Sequence, residues 1–439
     1  MDIGVRLVGA LVIGLILVVF LILRTKVQAF PALLISAIVV GVIAGMPAAD
    51  VMTTISSGFG STLASIGIII GLGVMMGKIL EITGAAKKMA LSILKIFGVE
   101  KTELVLLLSG WLVSIPVFCD SGFVILSELA KEFSRNTKKS MVALGCSLGI
   151  GLYLTHHLVP PTPGPLGVAG ILGVDVGQLI LWGVIVSALI MPFSLLYIRY
   201  ISKKCPEIIP EVSLSKSQFV TDDEKLPSGL ISFSPIIVPV ILILTKTVSD
   251  SLGISNPLIY IFGNPITAVL IGVLISVYGL TKDRPRDEVV KILEDSLADA
   301  GLIICITGAG GALGAVLRTS GIGDYVANLI AGANFPAILV PMIMASLLKI
   351  SQGSGTVAMI TTASILAPMI SGLGLSPIIT TLAICVGPMI ASTINDSYFW
   401  VVTRFSGMGV EVGSKAWTST TAVSGFVGCV IVFVLSFFI

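Results

Sequence analysis

Charge is scarce in this 439-residue chain: Asp, Glu, Lys and Arg make up 11% of it, against 55% hydrophobic residues and a mean hydropathy of +1.07. Soluble domains carry about 25% charged residues, so this composition excludes a water-soluble globule of comparable size. Histidine is scarcer still, with only the adjacent pair His156 and His157. Neighbouring histidines on one backbone point in different directions, and no His-Glu-x-x-His occurs, which argues against a metal centre or a zinc protease. The six cysteines are scattered without a Cys-x-x-Cys pair, so they read as small apolar packing residues rather than disulfides or ligands. A net charge of +2 gives no reason to expect nucleic acid as a partner. No residue pattern calls for a cofactor.

What is present is a series of apolar runs long enough to cross a membrane, beginning with Val5–Leu23, which lacks a small-residue cleavage site and reads as a retained span. The chain is expected to be an all-α polytopic membrane protein with lipid as its solvent. Further segments are expected at 28–45, 62–82, 139–155, 166–200, 230–248, 257–280, 297–317, 375–395 and 416–439. Two stretches are too short and too interrupted to span. Between Glu103 and Lys131 the apolar run is broken by Pro116 and Cys119-Asp120-Ser121-Gly122. Arms of about 13 residues reach roughly 20 Å against a hydrocarbon core of about 30 Å. A re-entrant hairpin over 103–133 is predicted, and another over 336–371 with Ser351-Gln352-Gly353-Ser354-Gly355 at its tip.

With Arg24 and Lys26 placed in the cytoplasm, alternating spans put 22 of the 26 Lys and Arg residues on that side, the exceptions being Arg6, Lys246, Arg318 and Lys349. That is the bias expected of inner-side loops. The halves also resemble each other. Gly77–Gly84 matches Gly314–Gly321, Ser121-Gly122 matches Ser354-Gly355, and Thr155 falls against Thr393, at offsets of 233 to 238 residues. The first hairpin enters from the cytoplasm and the second from outside, so the repeat is expected to be inverted, as in many secondary transporters. The resulting division is 1–61 as N-terminal helices and 62–200 as the first repeat. A cytoplasmic linker at 201–228, central scaffold helices at 229–296 and the second repeat at 297–439 follow.

Helix breaks at membrane depth must face protein or a water-filled cavity. The first is Thr155–Pro165, with both histidines and four prolines; the second is 393–397. Ser121-Gly122 and Ser354-Gly355-Thr356 are expected to open helices at the hairpin tips, presenting free amides to an anion; tight packing is the competing reading. Ionisable residues at this depth are functional candidates by default. Lys349 could neutralise a carboxylate or pair with Asp120 or Asp396. Asp120 and Asp396 could take up a proton or cap helices. His156 and His157, with Asn395 and Asp396, are candidates for reading hydroxyl groups. Gly308–Gly314 has the wrong spacing for a dinucleotide loop and reads as small residues at a helix crossing.

Four motifs resemble those of the gluconate permease family, bacterial inner-membrane symporters for gluconate and related sugar or hydroxy acids. They are Asp120–Leu126 (DSGFVIL), Thr155-His156 with Pro160–Pro165, Gly353–Ala358, and Asn395-Asp396 with Phe399-Trp400. The resemblance implies proton symport, an elevator-type mechanism and a homodimer in the inner membrane, with no enzymatic activity. It also marks departures. Asp120 stands where gluconate members tend to have Glu, His157 where they have Gly, Thr162 and Thr393 where they have His, and Lys349 where Arg is common. The added bulk of His157 favours a small acid such as glycerate, hydroxybutyrate or D-serine. Competing classes are an ion channel or exchanger without an organic substrate, and an intramembrane hydrolase, for which an oriented base and nucleophile are not evident.

Overall fold

The computed structural model describes residues 3–210, 226–322, 325, 336–394 and 396–439, and every regular element in them is helical. The first part of the chain runs α1 (Ile3–Leu23), α2 (Ala29–Ile43), α3 (Ala48–Ile82), α4 (Ala85–Phe97), α5 (Thr102–Val113), α6 (Cys119–Thr137), α7 (Met141–Leu158), α8 (Pro163–Leu172) and α9 (Val176–Ser202). The second runs α10 (Gly229–Ser251), α11 (Pro257–Phe262), α12 (Pro265–Leu280), α13 (Arg286–Thr319), α14 (Leu339–Gln352), α15 (Gly355–Leu366), α16 (Pro377–Val386), α17 (Ser397–Phe405) and α18 (Val410–Leu435).

From α2 and α12 onwards the helix order repeats. Ala29 and Pro265, Ala48 and Arg286, Thr102 and Leu339, Cys119 and Gly355, Met141 and Pro377, Pro163 and Ser397, and Val176 and Val410 open matched helices 234 to 238 residues apart. The long helices α3 and α13 each start after a proline in extended conformation, Pro47 and Pro285. Each stops at a glycine with φ of +74°, Gly84 and Gly321. Only glycine adopts that left-handed turn without strain, which explains why the matched motifs end in Gly.

α3 and α13 cross antiparallel. A Cβ on Gly58 would lie 2.6 Å from Ala315 Cβ and 2.7 Å from Gly311 O, while one on Gly71, further along α3, would meet Leu297, further back on α13. The glycine-rich run 308–314 sits at this crossing as expected, with Gly311 against Thr62 and with Gly310 and Gly314 against Ser364 of α15.

The divisions at 61/62 and 296/297 are corrected, because each cuts a continuous helix. Residues 48–61 are rich in Ser, Thr and Gly and fall outside the apolar windows, but packing on α13 holds them in the helix. Residues 286–296 carry too much charge for an apolar span, yet the helix simply continues with Glu288, Lys291 and Glu294 on its exposed face. The linker reading at 201–228 falls largely on 211–225, outside the described residues.

The hairpins are present as α5–α6 and α14–α15. The second arm of the first is 19 residues, longer than expected. α7 is the central element: the most apolar window of Met141–Leu172 is 100% buried, against 22% for Ile3–Ile22 and 28% for Gly229–Asp250 at the periphery.

The first break is shorter than 155–165. α7 continues through Leu158, and α8 already starts at Pro163, because proline is tolerated in a first helical turn where no amide partner is needed. Thr155 is inside α7, donating to Trp111 O at 2.6 Å and Gly151 O at 3.1 Å. Thr162 donates to Val159 O at 2.6 Å, satisfying a carbonyl that the prolines leave without a helical donor. The second break lies between a 3-10 turn at Gly387–Ile390 and the start of α17.

Candidate functional site

A cavity of about 330 Å³ lies where the two hairpin tips, the end of α7 and the start of α17 converge. It falls in the size range of small-molecule sites, about 300–1,000 Å³. The first hairpin contributes Phe118, Cys119 and Asp120; α7 contributes Tyr153, His156 and His157. The second hairpin contributes Lys349 and Gly353–Thr356, and the start of α17 contributes Asp396, Ser397 and Tyr398.

The second tip places a helix N-terminus beside a buried lysine. α14 ends at Gly353 in the left-handed region, and Ser354 caps α15 by accepting from Val357 N–H at 3.3 Å. The amides of Gly355 and Thr356 have no acceptor within the helix, and no acid stands in its first turn. Lys349, one turn before the tip, is 2% exposed. Its Nζ donates to Gly353 O at 2.7 Å and forms an ion pair with Asp396 Oδ2 at 2.7 Å.

Asp396 is held from three sides. Besides Lys349, Ser392 Oγ–H donates to Oδ2 at 2.6 Å and the Tyr398 amide donates to Oδ1 at 3.1 Å, so the side chain also caps α17. Trp417 Nε1–H in turn donates to Ser392 Oγ at 2.9 Å.

The first tip differs. α6 carries its own acid, Asp120, in its first turn, so the positive helix end already faces a carboxylate of the chain. Among the described residues no lysine or arginine pairs with Asp120; its side chain accepts a weak contact from Cys119 Sγ at 3.7 Å. The two tips, alike in sequence pattern, are electrostatically opposite.

The wall between them is aromatic. Tyr153, His156 and His157 lie at i, i+3 and i+4 on one face of α7. Tyr153 stacks on Tyr398, with ring centroids 5.8 Å apart and planes 5° apart, and Trp417 meets both edge-on. Tyr153 O–H donates to Pro388 O at 3.3 Å and Tyr398 O–H to Gly149 O at 3.1 Å, tying α7 to both sides of the second break.

Of the expected site residues, Asp120, His156, His157, Lys349, Ser354, Gly355, Thr356 and Asp396 are brought together. Ser121 and Gly122 are not. Helix α6 opens at Cys119, two residues earlier than expected, which turns Ser121 away into a separate cavity of about 40 Å³ beside Gly77, Lys78, Glu81 and Ser296. A Cβ on Gly122 would lie 2.7 Å from Leu152, so that glycine serves packing. Phe118 is the wall shared by the two cavities. Asn395 lies outside the described residues.

Pro160 and Pro161 also face elsewhere, into an apolar seam with Met76, Ile115, Ile180 and Pro239. The proline break therefore ends α7 beside the site but does not line it. Sequence reading missed Phe118, Tyr153, Tyr398, Ser392 and Trp417. The one available signal was the helical spacing of Tyr153 to the histidine pair.

Residues 6–438 match the family described as GntP family permease. The chain belongs to the GntP permease family. It is 34% identical to a gluconate permease of Pseudomonas aeruginosa over 97% of this chain and 96% of that protein. It is 42% identical to an uncharacterized permease of Haemophilus influenzae, over 95% and 90% respectively. The solved YdaH transporter of Alcanivorax borkumensis shares the fold at a TM-score of 0.69 and 17% identity, covering 88% of each chain. This GntP-family chain is thus a multi-pass inner-membrane permease and not an enzyme.

Proposed function

We propose that this permease imports a small hydroxy- or sugar-acid anion together with a proton. The observation that carries the reading is the inequality of the two hairpin tips. A carboxylate seated on the Gly355 and Thr356 amides, beside Lys349, would meet unpaired donors and the cation of the cavity. Lys349 and Asp396 already neutralise each other, so with every group ionised the cavity carries the surplus negative charge of Asp120. Bringing in a second negative charge at low dielectric is costly, and a proton on Asp120 removes the conflict. Of the two acids singled out in the sequence, Asp120 is therefore the coupling residue, while Asp396 holds Lys349 and caps α17.

The matched helix order and the antiparallel α3–α13 crossing support an inverted repeat, with each hairpin entering from its own side. The elevator motion and homodimer implied by the family resemblance belong to the same proposal.

The test is uptake into proteoliposomes with gluconate, glycerate, 3-hydroxybutyrate and D-serine as candidate cargoes. An inward proton gradient should drive accumulation of at least one. Asp120→Asn should retain exchange of internal for external cargo but lose acceleration by the proton gradient. Accumulation driven by sodium alone with no pH dependence would reject proton coupling, and proton-driven accumulation by Asp120→Asn would reject Asp120.

A further inference from the structure

The geometry points to His157 as a selector for a hydroxyl group on the carbon next to the substrate carboxylate; this rests on the carboxylate seating proposed above. His157 is 1% exposed, and its Nδ1 lies 3.0 Å from Tyr153 O. A carbonyl oxygen can only accept, so that contact places the ring proton on Nδ1. Nε2 is then a bare lone pair. It is buried and has no hydrogen-bond partner.

The ring cannot readily turn to find one. Its centroid lies 4.1 Å from that of Tyr153, and His156 lies edge-on at 5.4 Å. A buried acceptor without a donor is costly, and one on a residue that lines a cavity is where a ligand can supply the donor.

Position defines which donor. Nε2 lies only 2.4 Å from where a Cβ on Gly355 would be, directly beside the first turn of α15. A carboxylate on the Gly355 and Thr356 amides has its own oxygens engaged by N–H groups. The nearest atom of the substrate able to donate to Nε2 is a hydroxyl one carbon away. A 2-hydroxy acid fills both requirements with one short fragment, and the remainder of the molecule extends towards Asp120 and Ser397. The missing Cβ at 355 is what lets the imidazole approach the anion seat. The 2-deoxy counterpart would leave Nε2 unpaired and bind more weakly.

The experiment measures binding of matched acid pairs to the purified full-length protein by thermal stabilisation and by competition. The pairs are gluconate with 2-deoxygluconate, 2-hydroxybutanoate with butanoate, and lactate with propanoate. In any pair that binds, the 2-hydroxy member should bind at least about tenfold more tightly, the loss expected for one buried hydrogen bond. His157→Phe keeps ring volume and removes the acceptor, so it should bring that ratio close to one. His157→Leu also removes the acceptor and should likewise bring the ratio close to one, which preserves the test should the Phe variant fail to fold, whereas His157→Gln retains an acceptor oxygen and should keep most of the ratio. Equal binding of both members to the wild-type protein, or an unchanged ratio in His157→Phe, overturns the assignment. Stabilisation by none of the six acids overturns the 2-hydroxy-acid assignment; the organic-acid reading itself falls only if glycerate, 3-hydroxybutyrate and D-serine also fail to stabilise the protein.

Discussion

Removing the Lys349 ammonium offers the sharpest test, because under the proposed seating the residue serves the fold and the anion at once. Lys349 and Asp396 are 2.7 Å apart, with side chains 2% and 6% exposed. Lys349→Met retains the apolar stem but strands Asp396 as a buried carboxylate, still accepting from Ser392 and the Tyr398 amide. Breaking a buried pair from one side costs about 3–5 kcal/mol, a large part of a total stability of about 5–15 kcal/mol. In detergent this should lower the midpoint of thermal unfolding by on the order of 5 °C for a chain of this size.

The double variant Lys349→Met with Asp396→Asn removes both charges, while the amide oxygen still accepts from the Tyr398 N–H and the amide NH2 can donate to Ser392 Oγ. It should recover most of the lost stability and none of the transport, because the cation beside the α15 amides is still missing. Thermal unfolding of the three proteins and their uptake of cargo separate the two roles. A double variant no more stable than the single would refute the buried-pair argument. A double variant that transports at the wild-type rate would refute contact between Lys349 and the anion.

Other substitutions test the close contacts. Gly355→Ala places a Cβ 2.4 Å from His157 Nε2 and should weaken binding at least about tenfold, partly restored by adding His157→Gly; competition binding reads both. Gly77→Ala brings a Cβ within 2.2 Å of Pro116 O, a backbone atom at the first hairpin tip that cannot swing aside. A destabilisation of about 1–3 kcal/mol with loss of uptake is expected, measured on the same preparation. Thr162→Val leaves Val159 O without its donor and should cost about 1–3 kcal/mol in thermal stability, with little effect on substrate preference.

The helical class, both hairpins and the two breaks were legible because lipid imposes long apolar runs, and interruptions stand out against them. Helix ends beyond the apolar windows were not. Hydropathy falls at residues 48–61 and 286–296 although the backbone hydrogen-bond pattern continues, held by contacts with the partner helix. The site was read by chemistry rather than by direction. Asp120, Lys349, Asp396 and the histidines announce themselves as polar groups at depth, and the structure collects them. The facing of a side chain depends on where a helix starts, and a shift of two residues at Cys119 sends Ser121 into another cavity. Tyr153, Tyr398 and Trp417 were missed because buried aromatics are ordinary in apolar segments, and only their assembly around Ser392 and His157 distinguishes them. The matched tips of the two halves concealed one difference that a pattern of Ser and Gly cannot show: one has its own acid and the other has none.

That difference bears on cargo valence. In the proposed seating, a helix end without an acid of its own beside an already-paired lysine offers a seat to a single carboxylate. Under the proposed seating, the far end of a dicarboxylate would point towards Asp120, where a second charge is opposed rather than welcomed. Neutral, hydroxyl-bearing tails meet no such opposition. Under that seating the first tip would act as a charge filter, admitting monoanions and turning away succinate-like molecules of the same length.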